Sequence, residues 1–317
     1  MSWRPTGLAL ALLAGAAAAQ MPGEQARDII GDAPSDEALL QADRHERMTV
    51  PVTIAGAGPY RFLIDTGAQA TVVTPALAGD LALRQRGTAI LVAMGSSREV
   101  ETVELDELEF AGRSISGLVS PLLQSNHIGA DGILGLDSLQ DTRVLIDFRE
   151  RRMAVADAEL EDSNSGYEII VRARRKLGQM IITDAKIDGV RTAVVIDTGA
   201  QNSIANPVLL RKLRARERHE MLSVDVLGTQ IVSRAAFLKS LQIGRAELTN
   251  VQIGFSDSPI FAALGLERKP ALVLGMNNLR VFDRVAIDFG ERRILFDMPS
   301  RRAERERDRK VGTDTPG

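Results

Sequence analysis

The chain carries the same three-block unit twice, and this internal repeat limits its fold more than any other feature of the sequence. An apolar strand that runs into Asp-Thr-Gly-Ala-Gln occurs at 61–69 and again at 193–201. Two apolar residues and a glycine follow in each copy, at 133–135 and 273–275, and each copy ends in an apolar strand with Asp-Phe and a basic turn. Because the blocks keep the same order, the sequence predicts two lobes of one architecture related by a pseudo-twofold axis.

Each copy has the pattern of β-structure. Alternating apolar segments at 48–54 and 60–64 flank a turn that contains Gly and Pro, and those at 180–187 and 192–196 flank Asp-Gly, a strong hairpin signal. The sequence also predicts two further hairpin turns, at 94–97 and 227–229. Four short helices are predicted at 75–83, 137–141, 207–218 and 277–282. The chain is therefore predicted to be all-β.

The N-terminus has the pattern of a secretory signal peptide at 1–19. Arg4 precedes an apolar run at 8–19, and Ala17 and Ala19 satisfy the small-residue rule for cleavage after residue 19. The run is shorter than the ~20 residues that a transmembrane helix needs, so an uncleaved membrane anchor is the less favoured alternative. We expect an exported protein of the bacterial periplasm or the secreted fraction.

The rest of the chain divides by composition into five segments. Residues 20–47 are polar and acidic and form either a spacer or a propeptide. The N-terminal lobe is predicted at 48–157, a linker at 158–168 and the C-terminal lobe at 169–299. Residues 300–317 are dominated by Arg, Glu and Asp and are predicted to be a disordered charged tail.

Composition excludes several kinds of chemistry. The chain has no cysteine, which removes disulfides, thiol nucleophiles, iron–sulfur clusters and cysteine-bound zinc, and it has only three histidines. The net charge of −3 provides no positive field for nucleic acid, and aromatic residues make up only 4% of the chain. We therefore expect no cofactor, no metal and no nucleic-acid partner, and carboxylates are the most plentiful catalytic candidates.

The two Asp-Thr-Gly segments supply a pair of carboxylates. Pseudo-twofold symmetry would set Asp65 and Asp197 side by side, where glycine permits close approach and the threonine hydroxyl can bond the opposite loop. Two such carboxylates hold one proton between them, because both cannot ionise cheaply. The ionised member can take a proton from water while the other donates to a carbonyl, which is the chemistry of amide hydrolysis without a metal.

These blocks resemble the retroviral-type, or retropepsin-like, aspartic protease family, specifically its secreted bacterial members with two lobes in one chain. The resemblance covers about 48–157 and 169–298. It implies a pepsin/retropepsin-like acid protease fold with two tandem closed β-barrel lobes, an inter-lobe cleft and polypeptide substrates. The predicted catalytic residues are Asp65 and Asp197, and the residues expected to support them are Thr66, Gly67, Ala68, Thr198, Gly199, Ala200, Gly135 and Gly275.

The resemblance also bears on pH and on the hairpins over the cleft. Ala68 and Ala200 stand where pepsins have serine or threonine, and the missing hydroxyl should raise the pKa of the aspartate pair. We therefore expect an activity optimum less acidic than that of pepsin. The hairpins near Gly95 and Gly228 correspond to the flaps of the family, and neither contains a tyrosine.

Several alternatives remain open from the sequence. The aspartates could belong to a catalytically inactive protein that binds a peptide in the same cleft. Both lobes lie in one chain, which favours an active monomer, although each lobe could instead pair with a second chain. Three other aspartates, Asp131, Asp147 and Asp288, are predicted to be structural turn residues.

Overall fold

The computed structural model describes residues 14–15, 49–157, 164, 166–213 and 219–299. Most of the predicted signal peptide, the whole of the spacer or propeptide at 20–47, most of the linker, the end of the helix predicted at 207–218 and the charged tail lie outside these residues. Within the described part of the chain, no helix is long and apolar enough to cross a membrane.

Short strands dominate the described residues. In chain order they are β1 (Ala14–Gly15), β2 (Thr49–Ile54), β3 (Ala57–Ile64), β4 (Val72–Val73), β5 (Gln85–Val92), β6 (Ser97–Leu105), β7 (Leu108–Phe110), β8 (Arg113–Ile115), β9 (Leu118–Pro121), β10 (Gly132–Leu134), β11 (Thr142–Asp147), β12 (Arg152–Asp157), β13 (Ile169–Arg172), β14 (Arg174–Lys176), β15 (Gln179–Ile187), β16 (Val190–Ile196), β17 (Ile204–Ala205), β18 (His219–Asp225), β19 (Gln230–Ile243), β20 (Ala246–Phe255), β21 (Ala271–Leu274), β22 (Arg284–Asp288) and β23 (Arg293–Asp297). The helices are α1 (Pro75–Asp80), α2 (Ser125–Ile128), α3 (Pro207–Leu213), α4 (Pro259–Ala263) and α5 (Met276–Leu279).

The second lobe is a closed barrel. Its strands pair in the order β15-β16-β21-β17-β20-β19, and β19 returns to β15 through Lys186 opposite Gln242 and Ile187 opposite Leu241. Strand β14 extends the barrel beyond β15, while β18 pairs with β19 and carries the short strand β1 on its other edge. Inward-facing apolar side chains alternate along these strands, so the lobe encloses its own core.

The first lobe is an open counterpart of this barrel. Six strands pair in the order β4-β10-β3-β2-β7-β8, and β5-β6-β9 form a separate sheet. An isolated bridge joins the two sheets, from Val73 at the end of β4 to Leu122 just after β9. The expected all-β, two-lobed retropepsin-like fold is confirmed. The prediction of two closed barrels is correct for the second lobe and wrong for the first, where the strands divide into two sheets and form a half-barrel.

A five-stranded sheet in the order β12-β11-β22-β23-β13 joins the lobes. Its central pair, β11 and β22, is the third repeated block of the sequence, and the two copies pair antiparallel with Arg143 opposite Asp288. The Arg143 and Asp288 side chains form an ion pair of 2.6 Å with exposures of 1% and 0%. The two halves of the repeat are therefore held together by a buried charge pair as well as by backbone bonds.

Asp147 and Asp288 are turn residues, as predicted. Asp147 Oδ1 accepts the N–H groups of Arg149 and Glu150, and Asp288 Oδ1 accepts that of Glu291. The partner of Asp288, Arg143, was not foreseen. Asp131 forms a bond outside its own turn, because its carboxylate accepts the backbone N–H of Arg61 from β3.

The helix predicted at 137–141 is wrong. This segment is a turn, in which the Asp137 carboxylate accepts the backbone N–H and the hydroxyl of Thr71, 66 positions earlier in the chain. Helices α2 and α4 were not predicted, since each is only four or five residues long and has too little apolar periodicity to be seen. Helix α1 begins after Thr74, whose hydroxyl accepts the N–H of Leu77 and caps it.

Candidate active site

Each Asp-Thr-Gly segment follows a buried strand and is hydrogen-bonded to the end of a neighbouring parallel strand in the same lobe. Asp65 follows β3, and its backbone N–H donates to Leu134 O at 3.1 Å. Asp197 follows β16, and its N–H donates to Leu274 O at the same distance. Strands β10 and β21, the second repeated block, run parallel to β3 and β16 and so carry these carbonyls to the start of each loop.

Gly135 and Gly275 each lie against the segment that follows the Asp-Thr-Gly of their own lobe. The N–H of Gly135 donates to Thr71 Oγ1 at 3.2 Å, and that of Gly275 donates to Ser203 Oγ at 3.0 Å. A side chain at Gly275 would stand 2.6 Å from a backbone oxygen, and one at Gly135 would also overlap backbone. Sequence reasoning missed Thr71 and Ser203, although a hydroxyl residue six positions after each aspartate recurs in both halves.

The two threonines interlock the lobes. The N–H of Thr66 donates to Thr198 Oγ1 at 3.1 Å, and the N–H of Thr198 donates to Thr66 Oγ1 at 3.2 Å. Each hydroxyl then donates across the lobe boundary, Thr66 to Ile196 O at 3.0 Å and Thr198 to Ile64 O at 2.8 Å. These four buried bonds join backbone that is about 130 residues apart in sequence and hold the two loops in register.

The aspartate side chains lie against one another at the centre of this interlock. Asp65 Oδ1 accepts the N–H groups of Gly67 and Ala68 at 2.8 and 3.0 Å. Asp197 Oδ1 accepts those of Gly199 and Ala200 at 2.9 and 3.0 Å. Only glycine fits at two of these positions, because a Cβ on Gly67 would lie 2.5 Å from Asp197 Cγ and one on Gly199 would overlap the Asp65 carboxylate.

Burial raises the pKa of both carboxyl groups. Asp65 is 1% exposed and Asp197 is 0% exposed, and removal of the charged form from water is the largest cause of each shift. The negative charge of Asp197 raises the pKa of Asp65 further, while the backbone N–H bonds oppose the shift. Among the described residues, no donor bonds the Oδ2 atom of either aspartate, and the two carboxyl groups interact directly with each other.

The tip of the first flap hairpin packs on the second lobe. This hairpin consists of β5 and β6, and Met94 at its tip is buried with Ile231 and Ala200. The carbonyl of Met94 accepts the hydroxyl of Ser258 at 2.5 Å. Ser96 Oγ donates to the buried carboxylate of Asp225 at 2.6 Å.

The tip of the second flap hairpin, between β18 and β19, packs on the first lobe. Val226 and Leu227 are buried in a cluster that includes Ala68 and Leu91. Asp225 shapes this tip, since its Oδ1 accepts the N–H groups of Leu227 and Thr229. Each flap tip therefore packs on the opposite lobe above the aspartates. Asp225 of the second tip bonds Ser96 of the first and so joins the two tips; the sequence analysis did not identify it.

A cavity of about 340 Å³ lies between the second tip and the first lobe. Its walls come from the start of α1, from β6, from the segment around α2 and from the tip itself: Pro75, Arg98, Val100, Glu101, Leu122, Leu123, Gln124, His127, Val226 and Leu227. Residues of both lobes thus line the cavity.

In the described ranges, no group of three or more His, Cys, Asp or Glu residues is arranged to hold a metal ion.

Comparison with known proteins matches the repeat to a family. The aspartyl protease family model matches this chain twice, at 50–138 and at 183–278. Each match contains one Asp-Thr-Gly loop and its glycine block. Among solved structures, a retropepsin-like aspartic protease from Rickettsia conorii is 21% identical, with a TM-score of 0.29, over 41% of this chain and 89% of that one.

Proposed function

The chain belongs to the aspartyl protease family, and we propose that it is an endopeptidase that hydrolyses peptide bonds with Asp65 and Asp197 as its catalytic pair. The observation that carries this proposal is the pair of buried carboxylates, one from each lobe, in matching loops. Their bonds to backbone N–H groups differ by no more than 0.1 Å between the lobes. Both pKa values are raised, which suits groups that exchange protons near neutral pH.

The proposed reaction is a general acid–base hydrolysis. The pair holds one proton, and the ionised aspartate removes a proton from a water molecule as that water attacks the substrate carbonyl carbon. The protonated aspartate gives its proton to the carbonyl oxygen, which forms a neutral tetrahedral diol. Collapse of the diol breaks the C–N bond: the proton taken from water passes to the leaving nitrogen, while one diol hydroxyl gives its proton to the other aspartate and becomes the carbonyl oxygen of the product acid. The pair ends with one proton, as it began.

Substrate access in this proposal requires the flap hairpins to separate. The aspartates are almost fully buried, and the buried Met94 and the pair Val226 and Leu227 pack across the lobe boundary above them. A peptide must displace these contacts to reach Asp65 and Asp197. The cavity of about 340 Å³ beside the second tip is a candidate site for a substrate side chain.

Three expectations from the sequence complete the proposal. We expect export through the signal peptide at 1–19, and activity as a monomer because one chain supplies both aspartates. We also expect an activity optimum less acidic than that of pepsin. Ala68 and Ala200 contribute backbone N–H groups to the aspartates but have no hydroxyl to add.

Peptide-library cleavage, scanned across pH with residues 20–317, tests the proposal. D65N and D197N should each abolish cleavage while circular dichroism shows a folded chain, because each leaves only one carboxyl group. D184N is the matched control, since Asp184 is exposed on β15 and its variant should cleave normally. Absence of cleavage by the unmodified chain at every pH would favour the peptide-binding alternative, and loss in only one of the two active-site variants would refute the shared pair.

A further inference from the structure

The tip of the first flap hairpin is fastened to the wall of the second lobe by Ser258. A serine that precedes a helix usually accepts a backbone N–H of the first turn through its hydroxyl oxygen. Ser258 directly precedes α4, yet no such bond is found within the described helix. Its hydroxyl donates instead to the Met94 carbonyl at 2.5 Å, and the two residues are 4% and 1% exposed. This hydroxyl therefore bonds the flap and leaves its own helix uncapped.

The wall that carries Ser258 cannot move with the hairpin. Helix α4 is anchored in the second lobe by Ile260 and Phe261, which are each 1% exposed and belong to the same apolar cluster as Met94. The two aspartates of the candidate site are at most 1% exposed, so the closed hairpins leave no space for a peptide above them. When the first tip rises to admit a peptide, the bond from Ser258 to Met94 must break. This bond and a bound peptide thus exclude each other.

The second flap tip has no equivalent fastening. Gln124 precedes α2 in the first lobe as Ser258 precedes α4 in the second, and each helix leads towards the second repeated block. Gln124 is exposed and lines the cavity of about 340 Å³ beside the second tip. Among the described residues, which include both of these positions, no hydrogen bond joins the Gln124 side chain to that tip. The first flap is thus hydrogen-bonded to the wall, whereas Val226 and Leu227 hold the second by packing alone.

The bonds between the two tips extend this fastening to the second flap. Ser96 Oγ of the first tip donates to the Asp225 carboxylate of the second at 2.6 Å. The backbone N–H of Gly95 donates to the same carboxylate oxygen at 3.3 Å. A first tip that is fixed to the wall therefore restrains the second tip as well.

We propose, on the basis of the function proposed above, that Ser258 is a latch that keeps the empty cleft closed. A peptide then competes with the first flap tip for the space above the aspartates. A closed form of this kind lowers the apparent affinity for a peptide in proportion to the fraction of the chain that is open. Ser258 acts on the flap in this role and does not contact the reacting atoms. The latch should therefore affect peptide binding and leave the chemical step unchanged.

The test compares the KM and kcat of S258A with those of the unmodified chain. This substitution removes the hydroxyl without the loss of a helix cap, because the hydroxyl caps nothing in α4. We expect KM to fall about fivefold, the shift in population that the loss of one hydrogen bond produces, while kcat stays the same. S256A is the matched control, since Ser256 lies two positions earlier, is half-buried, and forms no side-chain hydrogen bond with the described residues. It should leave both constants unchanged.

A second measurement follows the flap without any cleavage. In a chain labelled at its methionine methyl groups, NMR reports on Met94, whose side chain leaves its buried site when the first tip rises. Relaxation dispersion detects an open form that exchanges with the closed form on the microsecond to millisecond timescale. The population of this open form should rise about fivefold in S258A and stay the same in S256A.

The inference is overturned if folded S258A keeps the KM of the unmodified chain, or if S256A lowers KM equally. A higher KM with a lower kcat would also overturn it, because the bond would then close over the bound peptide and not over the empty cleft. If the unmodified chain cleaves nothing at any pH, the proposed function fails separately. The Met94 signal then decides alone, and an open population that is the same in S258A as in the unmodified chain rejects the latch.

Discussion

The buried aspartate pair should make the fold less stable as pH rises, and D197N should remove part of this loss. Burial raises the pKa of Asp197 from its ordinary 3.8 to about 6. Between these values the folded chain keeps a proton that the unfolded chain has released. The stabilisation is complete below pH 3.8 and is lost as the pH approaches 6. A rise of about two pKa units corresponds to about 3 kcal/mol of unfolding free energy.

Urea unfolding of the unmodified chain and of D197N at pH 4 and pH 7 measures this effect. The asparagine has no proton to release, so we expect the stability of D197N relative to the unmodified chain to increase by about 2 kcal/mol from pH 4 to pH 7, because part of the full stabilisation is already lost at pH 4. The comparison cancels groups that do not interact with Asp197. One of them is Asp288: burial raises its pKa, but the bonds from Arg143 and from the Glu291 N–H outweigh burial and lower it, so Asp288 stabilises the fold above its unfolded pKa. An equal difference at both pH values would refute a raised pKa at Asp197.

Three further predictions concern contacts between the lobes. T198V removes a hydroxyl that bonds two backbone groups of the opposite loop, so it should cost about 2 kcal/mol in urea unfolding and lower kcat; unchanged stability would contradict the interlock. R143M leaves the buried Asp288 carboxylate without its main partner and should cost about 3–5 kcal/mol, whereas a double variant that also carries D288N should recover part of this loss; a purely additive double variant would contradict a coupled pair. S96A removes the hydroxyl that bonds Asp225 across the two flap tips, so amide hydrogen exchange in both tips should become faster while exchange in β11 and β22 stays the same; protection unchanged in the tips would show that they are not joined there.

Features that occur in both halves of the chain could be predicted from the sequence. Asp65 and Asp197 recur in the same context, and twofold symmetry requires such loops to meet if the two units fold alike. The glycines at 135 and 275 recur for the same reason, since both lie against backbone of the loop above them. The repeat thus predicted the pair, its supports and the all-β architecture, because these depend on local strand patterns and symmetry.

Contacts between the two lobes could not be predicted in this way. Asp225 and Arg143 each act on a residue of the other lobe, at separations of more than 100 positions. Arg143 recurs as Arg284, which lies opposite Asp147, but neither segment alone indicates that these two strands pair with each other. The wrong prediction of a helix at 137–141 has a related cause. Asp137 forms hydrogen bonds with Thr71, which is distant in sequence, and the segment does not form the backbone bonds of a helix.

Titration with a statine-containing peptide, which mimics the tetrahedral intermediate, tests most directly the claim that one cleft uses one aspartate from each lobe. Isothermal calorimetry of the unmodified chain should give one binding equivalent per chain. D65N and D197N should each weaken binding by at least about 100-fold, the lower bound for a transition-state analogue, while D184N should bind normally. Two equivalents per chain, or tight binding that survives in either active-site variant, would contradict a single shared pair.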